Sequence, residues 1–565
     1  MIKRWVIWGL FALLSVAVLI SSLGTAFQTL PLNPDMAEMA LIYQGVIHHG
    51  WRFPFTWRFT QDNQILSLLP FTLIYYALAS VSGASIIIQG WLIFVVNALL
   101  AGLLVKTVTH SWRWAALSWL LSLLASPMAI GQPGILAYPV THNSVWAFGL
   151  LGIIGLIRYL SDRPNWALPL ILMCVAVGTI SDPWFEAAFT VPVLLIAWKA
   201  PRWFQTDKTT RRTLVKSLII TYIAGRITYF GLELLHMVPG QGLGIASFPE
   251  MFQHIKLLAQ GVGVLVQLYP LPKNNYIWSI WVIYFISLCS IIIFSWLSIK
   301  NVNTRTKILV SFSGISIGII VSAFIITNFA GGLWASRFLI NLFYLIIVII
   351  TSITASFWLK KDNKIKILYW LTLLGYTLLA MHAINHANWR YKSNWNGTDS
   401  LSRWLIKHDF YNGYGQYFDV NSPLLNIVSS GKITARPLSC NMGYLIPRLS
   451  SSDDQFWFGQ KPLAQYNKLE FIAFNKTSQR WNKCAIKTFG KPYQVLFYRS
   501  LKIFIYNRNL SSQLNKGYRS FQSHWKLINI ANNRTAINKV GKTLGVNSEW
   551  AQYTYTWLLK NGIAK

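Results

Sequence analysis

Apolar residues run along this chain in blocks too long for one face of a soluble helix. Trp5 to Gly24 is 20 residues without a charge, and Tyr276 to Ile299 is 24. About 20 apolar residues, at 1.5 Å each, cross a bilayer core. The same pattern predicts spans near 5–27, 84–105, 115–130, 145–160, 166–181, 184–198, 217–235, 276–299, 308–327, 339–359 and 367–385. The expected fold class is an α-helical polytopic membrane protein with about 11 transmembrane helices. Lys3 and Arg4 before the first run look like a secretory signal. That run exceeds the roughly 7–15 residues of a signal core and many spans follow, so it reads as the first span.

One apolar stretch is awkward. Ile65 to Val81 is greasy enough to span, but a span there would invert every later loop. It is therefore expected in the first outer loop, 28–83, as a helix lying at or dipping into the membrane interface. After residue 385 the pattern changes. Residues 386–565 hold no spanning run. Short alternating stretches such as KLEFIAFN and YQVLFYRSLKIFIYN predict strands, and SLSRWLIKHDF predicts an amphipathic helix. The expected organisation is a transmembrane domain, 1–385, followed by an extracytoplasmic α/β domain, 386–565.

Composition supports the membrane reading: 54% of residues are hydrophobic and only 12% charged, against about 25% charged in soluble domains. A net charge of +33 raises nucleic acid as a partner, but Lys and Arg also collect on cytoplasmic loops. With the N-terminus inside, the cytoplasmic segments hold 19 Lys and Arg. The outer loops hold five: Arg52, Arg58, Lys256, Lys273 and Arg337. The charge is thus a topology signal, and no nucleic-acid partner is expected. The tail carries +18 of the total, a surface suited to anionic headgroups or glycans, or simply a solvated basic face.

Four cysteines change little. Cys174 and Cys289 fall inside spans and read as packing residues. Cys440 and Cys484 fall in the outer region, where two thiols could pair. No zinc-like spacing, phosphate loop or dinucleotide fingerprint is present, so ATP bound on this chain is not expected.

Polar residues at the outer ends of spans are the candidates for chemistry. NPDMAEMALIYQGVIHHGWRFPFTWRFTQDN, Asn33 to Asn63, places Asp35, Glu38 and Asp62 just outside the first span, from a total of 17 acidic residues. Asp35 and Glu38 share a helix face at i, i+3. Pro34 and early carboxylates suit a helix start, which is the plain structural reading. Carboxylates at the mouth of a span are also functional candidates. Asp182, in ISDPWFEAAF, either makes an Asp-Pro turn or joins Asp35 at the outer face. Asp35 and Asp182 could hold a divalent cation, the one cofactor the residues allow. In QPGILAYPVTHNSVW, Asn143 reads as an N-cap, and His142 could bind a phosphate or a sugar hydroxyl. Arg337, in GGLWASRFLINLF, is the one charge between Lys307 and Lys360. It can snorkel or grip a lipid phosphate bidentately. Arg226 lies within a span and needs an anion, either Glu233 or a ligand.

These motifs resemble the GT-C class of integral membrane glycosyltransferases. NPDMAEMALIYQGVIHHGW resembles the first-loop acidic motif of that class, and SRFLI its Arg-aromatic-Leu element near a late span. GYGQYFDVNSPLLNIVSSGKITARP, Gly413 to Pro437, resembles the start of the outer domain in bacterial members. The resemblance implies a polyprenyl-phosphate-linked sugar as donor, a lipid, glycan or protein acceptor, and a bacterial inner-membrane location. It implies Asp35 as catalytic carboxylate, with Glu38 beside it, and Arg337 as carrier-phosphate ligand. One departure stands out: many members carry an acidic residue in the next outer loop, whereas Gln132 to Ser144 has none. Asp182 is the candidate substitute. The alternative is a secondary transporter or flippase of a lipid-linked metabolite, which would place polar groups near the midplane of broken helices. A membrane acyltransferase using His142, His382 or His386 is a third reading, and a non-enzymatic scaffold a fourth. The sequons at Asn396, Asn475, Asn509 and Asn533 would matter only in an ER lumen.

Overall fold

The computed structural model describes residues 2–510 and 514, apart from 132–133, 205–206, 236, 240–243, 273, 298–301, 359–362, 387–394, 442, 449–452 and 455–468. Gln132, Lys273, Lys300, Lys360, Lys361 and Asn533 lie outside the described residues, as does the expected outer domain from 515 on apart from its sequence.

The apolar blocks fold as helices. The first part of the chain gives α1 (Ile2–Thr29), α2 (Pro34–His49), α3 (Leu69–Leu78), α4 (Gly83–Thr109), α5 (Trp112–Leu123), α6 (Pro127–Ile130), α7 (His142–Ser161) and α8 (Ala167–Ser181). There follow α9 (Val191–Phe204), α10 (Lys208–Leu234), α11 (Phe248–Leu265), α12 (Asn275–Leu297), α13 (Thr304–Ile326), α14 (Ile340–Trp358) and α15 (Asn363–His386). Among the described residues seven helices are long and apolar enough to cross a membrane: α1, α4, α7, α12, α13, α14 with the turn before it, and α15. This is an integral membrane protein.

The other four expected spans are helical but built differently. Residues 115–130 break into α5 and the four-residue α6. α8 is apolar but has only 15 residues. The span expected over 184–198 starts in a π turn, Glu186–Thr190, before α9. α10 is long, but Lys208, Arg211, Arg212, Lys216, Arg226 and Glu233 dilute its apolar surface. α3 has ten residues, about 15 Å of helix, half a bilayer core. It packs on α2 and presents Phe71, Ile74 and Leu78 outward.

The outer region forms α16 (Trp395–Lys407), α17 (Ser422–Val428) and α18 (Gln479–Phe489) around a sheet. Its eight strands, counted with the first loop, are β1 (Trp57–Arg58), β2 (Asn412–Gln416), β3 (Thr434–Asn441), β4 (Tyr444–Pro447), β5 (Asp453–Asp454), β6 (Glu470–Asn475), β7 (Gln494–Tyr498) and β8 (Leu501–Tyr506). Six of them form one mixed sheet in the order β4-β3-β2-β6-β8-β7, with β2 parallel to both β3 and β6. The expected α/β character is present. Cys440 and Cys484 are joined by a disulfide.

Contacts of a helix and of a strand tie this region to the bundle. Leu424 and Ile427 of α17 belong to the same hydrophobic core as the membrane helices, where α17 packs on α2. β1 of the first loop pairs with β5, placing Arg58 opposite Asp453. The outer sheet is therefore docked directly over the loop that carries the candidate carboxylates.

Candidate active site

The site begins with the start of α2. Asn33 caps it: the side-chain Oδ1 accepts from the Met36 amide at 3.0 Å and from the Tyr138 hydroxyl at 2.8 Å. Pro34 occupies the first helical turn, where its missing N–H costs nothing. Asp35 follows and stays partly accessible. Its Oδ1 accepts from the Tyr417 hydroxyl at 2.8 Å. Burial pushes the Asp35 carboxyl above the ordinary carboxylate range, against the hydrogen bond from Tyr417 and the positive charges of Arg448 and Arg337.

Glu38, one turn on, is 2% exposed and accepts from the Trp57 indole N–H at 3.0 Å. That bond anchors the returning loop on α2. Glu38 is placed to hold the loop, with Asp35 the more open of the two.

The loop after β1 is sewn to the ends of α7, α8 and α10. The Phe59 amide donates to Met237 O at 2.8 Å, Asn63 Nδ2 to Ile180 O at 2.7 Å, and Gln64 Nε2 to Thr141 O at 3.2 Å. These bonds set Asp62 beside the ends of α7 and α8. Burial raises the Asp62 carboxyl. The charges of His142 and Arg337 oppose that, while Asp182 adds to it. Asp62, the third acidic residue of the first loop, joins the site only through these bonds.

His142 and Asp182 form a buried pair. His142 Nδ1 and Asp182 Oδ2 are 2.6 Å apart, and the side chains are 5% and 2% exposed. Asp182 Oδ1 also accepts from the Trp184 amide at 2.9 Å, so the expected Asp-Pro turn and a side-chain role coexist. His142 Nε2 is buried with no hydrogen-bond partner among the described residues. A histidine so oriented by a carboxylate can offer its far nitrogen to an oxygen brought into the site. Asn143 is not the cap: Thr141 holds that position, and Asn143 Nδ2 instead staples the preceding loop through Ile135 O, Tyr138 O and Thr141 Oγ1. That loop lies against α4 at Gly90, where a side chain would collide with the Ala137 carbonyl.

Arg337 sits in a 3-10 turn, Leu333–Leu339, at the head of α14. Its guanidinium carbon lies 4.9 Å from the Trp334 ring centre and 5.1 Å from that of Phe338. Its Nε is buried and unpartnered, and no acidic side chain pairs with it among the described residues. Phe338 packs at 5.0 Å from the His142 ring and 4.9 Å from Trp184, whose indole N–H donates to Phe338 O at 3.0 Å. Arg337 and the His–Asp pair are thus held by one aromatic cluster.

Arg226 is elsewhere. It pairs with Glu186 at 3.0 Å, and Tyr222 donates to the other oxygen of Glu186 at 3.0 Å. The expected partner Glu233 is corrected to Glu186, from the neighbouring π turn. Arg226 thus has its anion within the protein, at Glu186. Asp35 and Asp182 likewise turn to different partners, Tyr417 and His142. Among the described residues no group of three or more His, Cys, Asp or Glu could hold a metal ion.

A mostly apolar cavity of about 230 Å³ opens between α1, the α5–α6 link and α15, lined by Leu14, Val18, Thr25, Leu124, Ile130 and Met381 among others. Its upper end, at Thr25 and Ile130, is near the start of the first outer loop.

No family model matches this sequence, and no curated protein matches it. The fold does have a relative among solved structures. The crystal structure of ArnT from Cupriavidus metallidurans, bound to undecaprenyl phosphate, superposes with a TM-score of 0.53 at 9% identity. The match covers 88% of this chain and 98% of that one. The likeness runs through nearly all of both chains, so the two proteins share one fold.

Proposed function

We propose that this protein transfers a sugar from a polyprenyl-phosphate carrier to an extracytoplasmic acceptor, with Asp35 as general base. The observation that carries the reading is a guanidinium with a buried, unpartnered Nε and no ion pair among the described residues, Arg337, held in one aromatic cluster with the His142–Asp182 pair, with the partly accessible carboxylate of Asp35 within reach of its charge. Undecaprenyl phosphate, the lipid bound in ArnT, belongs to the same chemical class as the proposed carrier. The cavity along α1 suits the first part of a prenyl chain.

The chemistry follows from the residues. The acceptor hydroxyl attacks the anomeric carbon while Asp35 takes its proton. The bond from that carbon to the phosphate oxygen breaks, and the polyprenyl phosphate leaves with added negative charge. Arg337, which shares the Phe338 cluster with His142, receives that charge. One displacement inverts the anomeric configuration. The lipid phosphate is itself the leaving group, so no nucleotide site is required. The Cys440–Cys484 disulfide favours an oxidising compartment for the outer region, in line with an N-terminus on the cytoplasmic side.

The test is product formation. Purified protein in liposomes, given radiolabelled polyprenyl-phosphate sugars and extracted envelope acceptors, is expected to move label into acceptor with the lipid-linked donor and not with a nucleotide sugar. Label that crosses the vesicle wall without a new glycosidic bond would instead identify a transporter.

A further inference from the structure

The outer region reaches the candidate base through one side chain. Tyr417 follows β2, its ring is buried, and its hydroxyl donates to Asp35 Oδ1 at 2.8 Å. The Arg448 guanidinium carbon lies 3.4 Å from the centre of that ring, a stacked cation–π contact. Both residues stand on well-fixed frames. β2 is paired on both edges, α17 just beyond Tyr417 is packed into the bundle core, and Arg448 directly follows β4, its amide bonded to Pro437 O. Phe418, next in the chain, packs edge-on against Tyr417 at 4.8 Å and is exposed.

A general base must take its proton from a hydroxyl within hydrogen-bond reach of the carboxylate. Tyr417 already supplies a hydroxyl donating to Asp35 at that distance. In that bond the tyrosine hydroxyl is the donor and the carboxylate the acceptor. Tyr417 therefore occupies Oδ1, and an acceptor hydroxyl that is to use that oxygen has to displace it.

We infer that Tyr417, braced by Arg448, is an acceptor-side gate: it caps Asp35 until an acceptor hydroxyl displaces it, and so denies the base to water. The inference rests on the transferase reading above. Its consequence is a partition. Water can attack the same anomeric carbon: its oxygen bonds to that carbon, the carbon–oxygen bond to the phosphate breaks, and the proton passes to Asp35. The products are free sugar and polyprenyl phosphate. A capped base suppresses that reaction when no acceptor is bound, which is what exclusion of water by a closing element achieves in other sites.

The experiment uses the full-length protein with radiolabelled polyprenyl-phosphate sugar, with and without acceptor, and counts free against transferred label. Tyr417→Ala is expected to raise the ratio of free to transferred sugar about tenfold, the scale of one hydrogen bond to a charged group. Tyr417→Phe keeps the ring beneath Arg448 and deletes only the hydroxyl, so it carries the test if the alanine variant fails to fold. It should raise the ratio severalfold, and it should also move the acidic limb of the transfer rate to higher pH, because the lost hydrogen bond is one of the influences holding the Asp35 carboxyl down. A wild type that transfers sugar while Tyr417→Phe keeps its partition and its pH profile overturns the gate and leaves the transferase reading standing. A wild type that neither transfers nor hydrolyses any lipid-linked sugar overturns both.

Discussion

Asp35→Asn is expected to lower sugar transfer by about 10²–10⁴-fold, the range that a positioned general base supplies, with donor binding little changed. Asparagine has the shape of aspartate, and its Oδ1 can still accept from Tyr417. The start of α2 should hold as well, because its cap belongs to Asn33 and its first turn to Pro34. What the substitution removes is the site for the acceptor's proton. The pH dependence carries the same signature. Asp35 works as a base only when ionised, and burial raises its carboxyl above the ordinary range. The transfer rate should therefore rise with pH through an inflection above the usual carboxylate value, and the residual rate of Asp35→Asn should lack that inflection. Rates of wild type and variant measured across pH, together with donor affinity at one pH, check both statements. Equal transfer by the two proteins would remove Asp35 from the chemistry.

Arg337→Ala is expected to act on the other end of the reaction. The donor phosphodiester carries one negative charge, and the departing phosphate gains a second as the bond breaks. A guanidinium at that phosphate therefore stabilises the transition state more than the bound donor. Removing it should weaken donor binding and also lower the turnover of bound donor, together by about 10²–10³-fold. Arg337→Lys keeps charge but loses the planar fork, so it should recover part of the binding and less of the turnover. Arg337 makes no ion pair among the described residues, but its charge opposes the effect of burial on Asp35 and Asp62, so its loss should also push both carboxyls up. The lost stacking on Trp334 and Phe338 should cost about 0.5–2 kcal/mol, which thermal unfolding in detergent would register. A variant that binds and turns over donor normally would exclude Arg337 from the phosphate.

The two substitutions bear on opposite ends of one displacement, and the way the chain hid or showed them is instructive. The long spans were legible because an uninterrupted apolar run admits few other fates; for the other four the helices were legible, but not the break between α5 and α6, the shortness of α8 or the π turn before α9. α10 carries enough charge to read as marginal, and the π turn at Glu186–Thr190 leaves no pattern of its own. Asp35, His142, Asp182 and Arg337 were legible because polar groups at the mouths of spans are conspicuous against a greasy chain. Their pairing was not. Nothing local says that His142 meets Asp182 rather than a phosphate, or that Arg226 turns to Glu186 across a helix interface instead of Glu233 on its own helix. Asp62 was visible, but its place beside Asp182 depends on the bonds from Asn63 and Gln64 to the ends of α7 and α8. Tyr417 was beyond reach: it meets Asp35 across 382 positions, and no periodicity spans that separation. GYGQYFD could be matched to an outer-domain start only as a motif, without showing that Tyr417 reaches Asp35.

The central claim is that the head of a lipid-linked donor lies between Asp35 and Arg337. The most direct measurement is a structure of the protein with a non-transferable polyprenyl-phosphonate sugar. The phosphonate is expected on the Arg337 guanidinium, with His142 Nε2 facing one of its oxygens, the anomeric carbon turned toward Asp35, and the prenyl chain leaving along α1. A phosphonate bound at Arg226, or in a crevice that Asp35 does not face, would contradict the account.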